Sequence, residues 1–150
     1  MNQTQIRTIP EGGAWRSRLA DLYASVEKRT DEVRPTCNLS GRCCDFPKTD
    51  HELWSSGLEL SYAIEKAGGV VPESSSGSCP WYVGGMCSLR EGRPLGCRLY
   101  FCDESWAQEM AAAYEKYHGE LMKLHEEAGI PYRYERFVDG VARARETGSL

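Results

Sequence analysis

Asp103 to Gly129 reads DESWAQEMAAAYEKYHGELMKLHEEAG, and the period of its apolar residues decides the fold class. Trp106, Met110, Ala113, Tyr114, Tyr117, Leu121, Leu124 and Ala128 recur at steps of four, three, one, three, four, three and four. That is the repeat of one helix face, about 3.6 residues per turn. Asp103 or Ser105 offers a side-chain oxygen to the first free N–H groups. Gly129 offers the left-handed conformation that ends a helix. The spacing therefore predicts a helix over about 104–128, the strongest helical signal in the chain.

Upstream, Trp15, Leu19, Leu22, Tyr23 and Val26 make a second apolar stripe, which starts near Ala14 and must stop before Pro35. Thr49-Asp-His-Glu52 has the form of a capping box. The residues behind it predict a helix with Leu53, Leu60, Ile64 and Ala67 on one face, stopped by Gly68-Gly69. Downstream, Pro131 opens a last segment, in which Tyr134, Phe137, Val138 and Val141 predict one more short helix. Strand signals are sparse: Val70-Val71, and a hairpin within Pro80–Ser88 around Gly84-Gly85. The expected architecture is mainly α, with three to four helices packed around two irregular cysteine-rich loops and one short hairpin. Residues 1–13 read as a flexible lead-in and 14–150 as a single domain. No internal repeat is visible.

Composition bounds the function. The chain has 150 residues, 41% hydrophobic and 27% charged, which suits one ordinary globular core. A net charge of −4 argues against a general nucleic-acid binder. Arg133, Arg136, Arg143 and Arg145 alternate with Glu135, Asp139 and Glu146 and read as a solvated helix face. The N-terminus has no apolar core of a secretory signal. No apolar run approaches the ~18 residues of a membrane span. The expected location is the cytoplasm, with no membrane partner, where thiols stay reduced.

Seven cysteines stand at 37, 43, 44, 79, 87, 97 and 102. An odd count cannot pair completely, and clustered cysteines in a reducing compartment point to metal. Thiolates are soft ligands that suit zinc and iron. The first group is PTCNLSGRCCDFPK, residues 35–48, and the second is CPWYVGGMCSLREGRPLGCRLYFC, residues 79–102. Both are rich in turn residues and both run into helices. Adjacent Cys43 and Cys44 fit poorly on two corners of one relaxed tetrahedron. They suit a multinuclear site, or a site where one of the two is a ligand. The radical-enzyme spacing C-x3-C-x2-C is absent, and so is any C-x2-C, which argues against thioredoxin-like chemistry.

Cys37-x2-Ser40-x2-Cys43-Cys44 is in register with a C-x2-C-x2-C-C motif, with serine at the second position. Cys79-Pro-Trp, Gly85-x-Cys87, Arg93-Pro-Leu-Gly-Cys97-Arg98 and Cys102 follow in the order of that family's second half. The sequence resembles the CxxCxxCC zinc- or iron-chelating domains, the YkgJ-like cysteine-cluster proteins, over roughly residues 35–103. Their cysteine motif is distantly similar to that of flagellin lysine methylases, which are much longer. The resemblance implies Cys37, Cys43, Cys44, Cys79, Cys87, Cys97 and Cys102 as metal ligands. Ser40 departs from the pattern: either that corner is dispensable, or the site has a different ligand count, or His51, which otherwise reads as an ordinary surface histidine, supplies a substitute.

Arg93 and Arg98 have two readings: guanidinium partners of thiolates, or plain surface charge. Trp81, Tyr82, Tyr100 and Phe101 read as core and site-shielding residues. His118 and His125 lie seven apart on the long helix and read as solvated. No nucleophile–base pair, phosphate loop or cofactor fingerprint marks an enzyme. Three functions stay open. One is a metal-binding accessory module, carrying zinc, iron or an iron–sulfur cluster and presenting a helical surface to a protein partner. The second is an iron–sulfur component of a redox or protein-modification enzyme. The third is a metal-free thiol sensor. Iron or an iron–sulfur cluster is favoured slightly over zinc because of the vicinal pair.

Overall fold

A computed structural model describes residues 3–5, 14–35, 52–73, 77–101 and 103–150. The protein is mainly helical. Helix α1 spans Trp15–Val33. Its stripe is buried as the period requires, with Leu19 and Val26 fully inaccessible. The helix stops at Arg34, which takes a left-handed φ of 54° before Pro35, and its N–H donates to Thr30 O at 2.7 Å. Proline bars the ordinary helical conformation at the preceding residue, which is why the turn falls there.

The next elements differ from the expectation. Thr49, Asp50 and His51 lie outside the described residues, but Glu52 and Leu53 are not helical. Trp54–Ser56 forms strand β2, and the helix begins only at Gly57 (α2, Gly57–Lys66). The working capping box is Ser56 with Glu59. Ser56 Oγ accepts from Glu59 N, and Glu59 Oε2 accepts from Ser56 N at 2.8 Å. The reason is tertiary. Strand β2 pairs antiparallel with Tyr134–Arg136 (β6), with Trp54 opposite Arg136 and Ser56 opposite Tyr134. This pairing also removes Tyr134 from the expected last helix, which starts at Phe137 (α5, Phe137–Thr147).

Two other ribbons are local or short. Strand β3 (Val70–Pro72) pairs with Gln3–Gln5 (β1), so the lead-in contributes a strand. Strands β4 (Tyr82–Val83) and β5 (Met86–Cys87) form the expected hairpin. Gly84 and Gly85 both have positive φ, 59° and 77°, as the two-residue hairpin turn demands. Helix α3 (Leu95–Leu99) lies inside the segment expected to be irregular. Helix α4 (Ala107–Ala128) follows a short 3-10 turn whose Ser105 N–H donates to Asp103 Oδ1 at 3.0 Å. Gly129, at φ 68°, ends α4 as its sequence implied.

Two buried clusters result. One gathers Trp15, Leu19, Val26, Leu95, Leu99 and Leu121 from α1, α3 and α4. The other gathers Val71, Trp81, Leu89, Phe137 and Val141 from the ribbons, turns and α5. Helix α2 lies between them. Leu58 and Tyr62 belong to the first cluster, Leu60, Ala63 and Ile64 to the second. Every residue from Leu58 to Ile64 is buried, as for a helix covered on all sides.

Candidate metal centre

The described cysteines stand in three different settings: a turn, a strand and a helix. Cys79 precedes the hairpin, and its carbonyl accepts from Tyr82 N–H at 2.9 Å, which turns the chain into β4. Cys87 lies in β5, opposite Tyr82. Cys97 lies in α3, a correction to its expected place on an irregular loop. Cys79 is buried within the ribbon-side core, and Cys87 and Cys97 are partly buried against the same core. Cys37, Cys43, Cys44 and Cys102 lie outside the described residues, as do Ser40 and His51. Among the described residues, no three His, Cys, Asp or Glu side chains form a group able to hold a metal ion. In kind, the donors fit a soft metal. In number, three thiols fall short of the four that a closed zinc site or a cluster needs. They share a core face, not a coordination sphere.

What the sequence did not reveal is the polar network that fixes α3. Glu59 is 1% exposed. Besides capping α2, its Oε1 accepts from Leu95 N at 2.7 Å, at the start of α3, and from the Tyr23 hydroxyl at 3.4 Å. One carboxylate therefore satisfies the first turns of two helices. Burial pushes its pKa up, and the backbone donors at Ser56 and Leu95 oppose that push. Tyr23 is raised well above the usual phenol value, by burial first and then by the Glu59 charge, with Cys97 adding to it. The signal was present: Ser56-Gly-Leu-Glu59 has capping-box spacing as good as Thr49-Asp-His-Glu52.

Arg98 resolves in favour of structure. It is 6% exposed. Its Nε donates to Arg93 O at 2.7 Å, Nη1 to Glu27 Oε1 at 2.5 Å, and Nη2 to Glu91 O. Its guanidinium carbon lies 3.9 Å from the Tyr23 ring centroid. Burial lowers its pKa, and Tyr23 and Glu27 oppose that. Arg98 thus binds the turn before α3 to α1, beside Cys97. Arg93 is peripheral, with its Nε on Arg90 O at 3.0 Å.

The histidines correct another expectation. His125 is 1% exposed and not solvated. Its Nε2 accepts from Leu58 N at 3.4 Å, and its Nδ1 faces Ile130 O at 3.3 Å. That pattern requires the neutral ring with the proton on Nδ1. Burial lowers its pKa, Ile130 O opposes the shift, and His118 reinforces it. His118 stacks on Tyr114 at 5.5 Å and meets Tyr134 edge-on at 4.7 Å.

The chain matches no family model, no curated protein and no solved structure. No helix among the described residues is long and apolar enough to cross a membrane.

Proposed function

We propose that this protein is a metal-binding cysteine-cluster module. Its ligands are drawn from Cys37, Cys43, Cys44, Cys79, Cys87, Cys97 and Cys102. The observation that carries it is that the three described thiols, spread over residues 79–97, all lie in or against the same buried core. The C-x2-S-x2-C-C spacing of the first group supports the same reading. So does the slightness of the hairpin: two-residue strands are marginal without a fastener. Thiolates of the two groups would close that fastener, and Glu59 and Arg98 would hold Cys97 in place. Zinc would supply a closed structural link, and an iron–sulfur cluster would add an electron-transfer centre. The vicinal Cys43-Cys44 favours iron over zinc. In this reading the protein works in a reducing compartment and presents its helical face to a protein partner.

Metal and sulfide analysis with a visible spectrum, on protein purified without air, tests this reading. About four irons and four sulfides, with absorption near ~400 nm, fit a cluster. One or two zincs without colour fit the structural link. Metal below a tenth of an equivalent, with seven titratable thiols, would sink it and favour the thiol sensor. Cys97→Ser should lower the metal content by at least half if Cys97 is a ligand.

A further inference from the structure

Away from the thiols, a cleft of about 350 Å³ opens between the β2–β6 ribbon, α3 and α4. Its walls are Trp54, Tyr100, Tyr114 and Tyr134. Among the described residues, Glu52 is the one charged side chain that lines it. The ribbon builds this wall. Trp54 and Tyr134 sit diagonally across the β2–β6 pair, with ring centroids 5.6 Å apart. The Tyr134 hydroxyl pairs with that of Tyr114, and His118 stacks on Tyr114, so these rings brace one another. Gly96 forms part of the floor. A Cβ there would meet Leu53 Cδ1 at 2.7 Å, so its absence lets α3 close against Leu53. Trp54 nonetheless stays 39% exposed, and its indole N–H donates to Glu52 Oε2 at 3.4 Å.

Aromatic faces carry negative electrostatic potential, and a carboxylate at the rim adds to it. The occupant favoured by such a cleft is a cation with a diffuse charge and apolar surface. A compact, strongly hydrated ion would lose too much water on entering. Two other clefts along α1 and α4 differ in this respect. They bring their own cations, Arg18 and Lys123 in one, Arg29 and Lys116 in the other. We propose that the Trp54–Tyr134 cleft binds a small organic cation bearing an alkylated ammonium group, of about the size of choline. The volume lies at the lower end for ligand sites, which suits a molecule of that size. This binding is independent of the metal reading and does not use the cysteines.

Choline and 3,3-dimethylbutan-1-ol, its uncharged isostere, separate charge recognition from simple apolar filling. The readout is the Trp54 indole N–H resonance, assigned by its loss in Trp54→Phe. Choline should shift it saturably, and the isostere should bind about tenfold more weakly or worse. Glu52→Gln should weaken choline binding several-fold. Trp54→Ala should abolish binding, followed on the tyrosine resonances, with the melting temperature checking the fold. Equal binding of the two ligands would overturn the proposal. So would no saturable shift with either on folded protein, or choline binding indifferent to both substitutions.

Discussion

Leu19, Val26, Leu121 and Leu124 close one core from two helices of 19 and 22 residues. Val71, Trp81, Leu89 and Phe137 close the other core from turns, strands of two or three residues and an 11-residue helix. The first side satisfies its backbone hydrogen bonds within its own helices. The second side cannot, because a two-stranded ribbon is marginal in water. It relies on α2, which is common to both cores, and it holds all three described thiols. The described thiols thus lie on the side whose local structure is weakest.

Metal removal should break this contrast most visibly. If the thiols hold metal, chelation withdraws folding free energy of order 10 kcal/mol per site. Hydrogen exchange should then show protection lost over residues 70–97 and largely kept in α1 and in α4. Equal loss on both sides would dissolve the distinction between the cores.

Glu59→Ala comes next. It orphans the buried N–H groups of Ser56 and Leu95 at the junction of the two sides. The cost should be about 4 kcal/mol in denaturant unfolding, since each buried unpaired group costs about 1–3. Glu59→Gln should recover part of it, because its amide carbonyl still accepts one bond.

Leu121→Ala probes the helical core alone. Leu121 is fully buried, and the cavity should cost about 3 kcal/mol. If the thiols hold metal, metal content should be unchanged, because Leu121 belongs to the core without them.

A smaller effect comes with acid. The folded-state pKa of His125 lies below its unfolded value of about 6.5, because burial disfavours the imidazolium. The unfolded chain therefore binds the proton first. The contribution of His125 is complete above about pH 6.5 and falls as pH drops towards the lowered value, by at most about 1.4 kcal/mol per pH unit. Protonation also removes the acceptor for Leu58 N–H. His118 is lowered by burial as well, so His125→Gln should flatten the pH dependence of melting only in part. Gly85→Ala should cost least, about 1 kcal/mol, through its positive φ in the hairpin turn.

Legibility followed the range of the forces. The stripes of α1 and α4, the stops at Pro35 and Gly129 and the Gly84-Gly85 turn were readable, because each depends on neighbours a few residues away. Trp54–Ser56 has the sequence signature of helix, because Leu53, Leu60 and Ile64 keep a helical spacing across it, yet it is a strand. The cysteines were readable by position and residue type. That Cys97 rides on a helix, with its N-terminus on Glu59, was not.

By itself, then, the sequence determined the long helices, their ends and the hairpin, through apolar period and backbone sterics. It also named the soft donors by residue type. Only the tertiary structure decided that Trp54–Ser56 is extended, because its hydrogen-bond partners stand some eighty residues away at Tyr134–Arg136. The same pairing built the aromatic cleft. Packing of α1, α2 and α3 likewise buried Glu59 and Arg98, two charges that composition assigns to the surface. They stay inside because Ser56, Leu95, Tyr23, Glu27 and the carbonyls of Glu91 and Arg93 satisfy them.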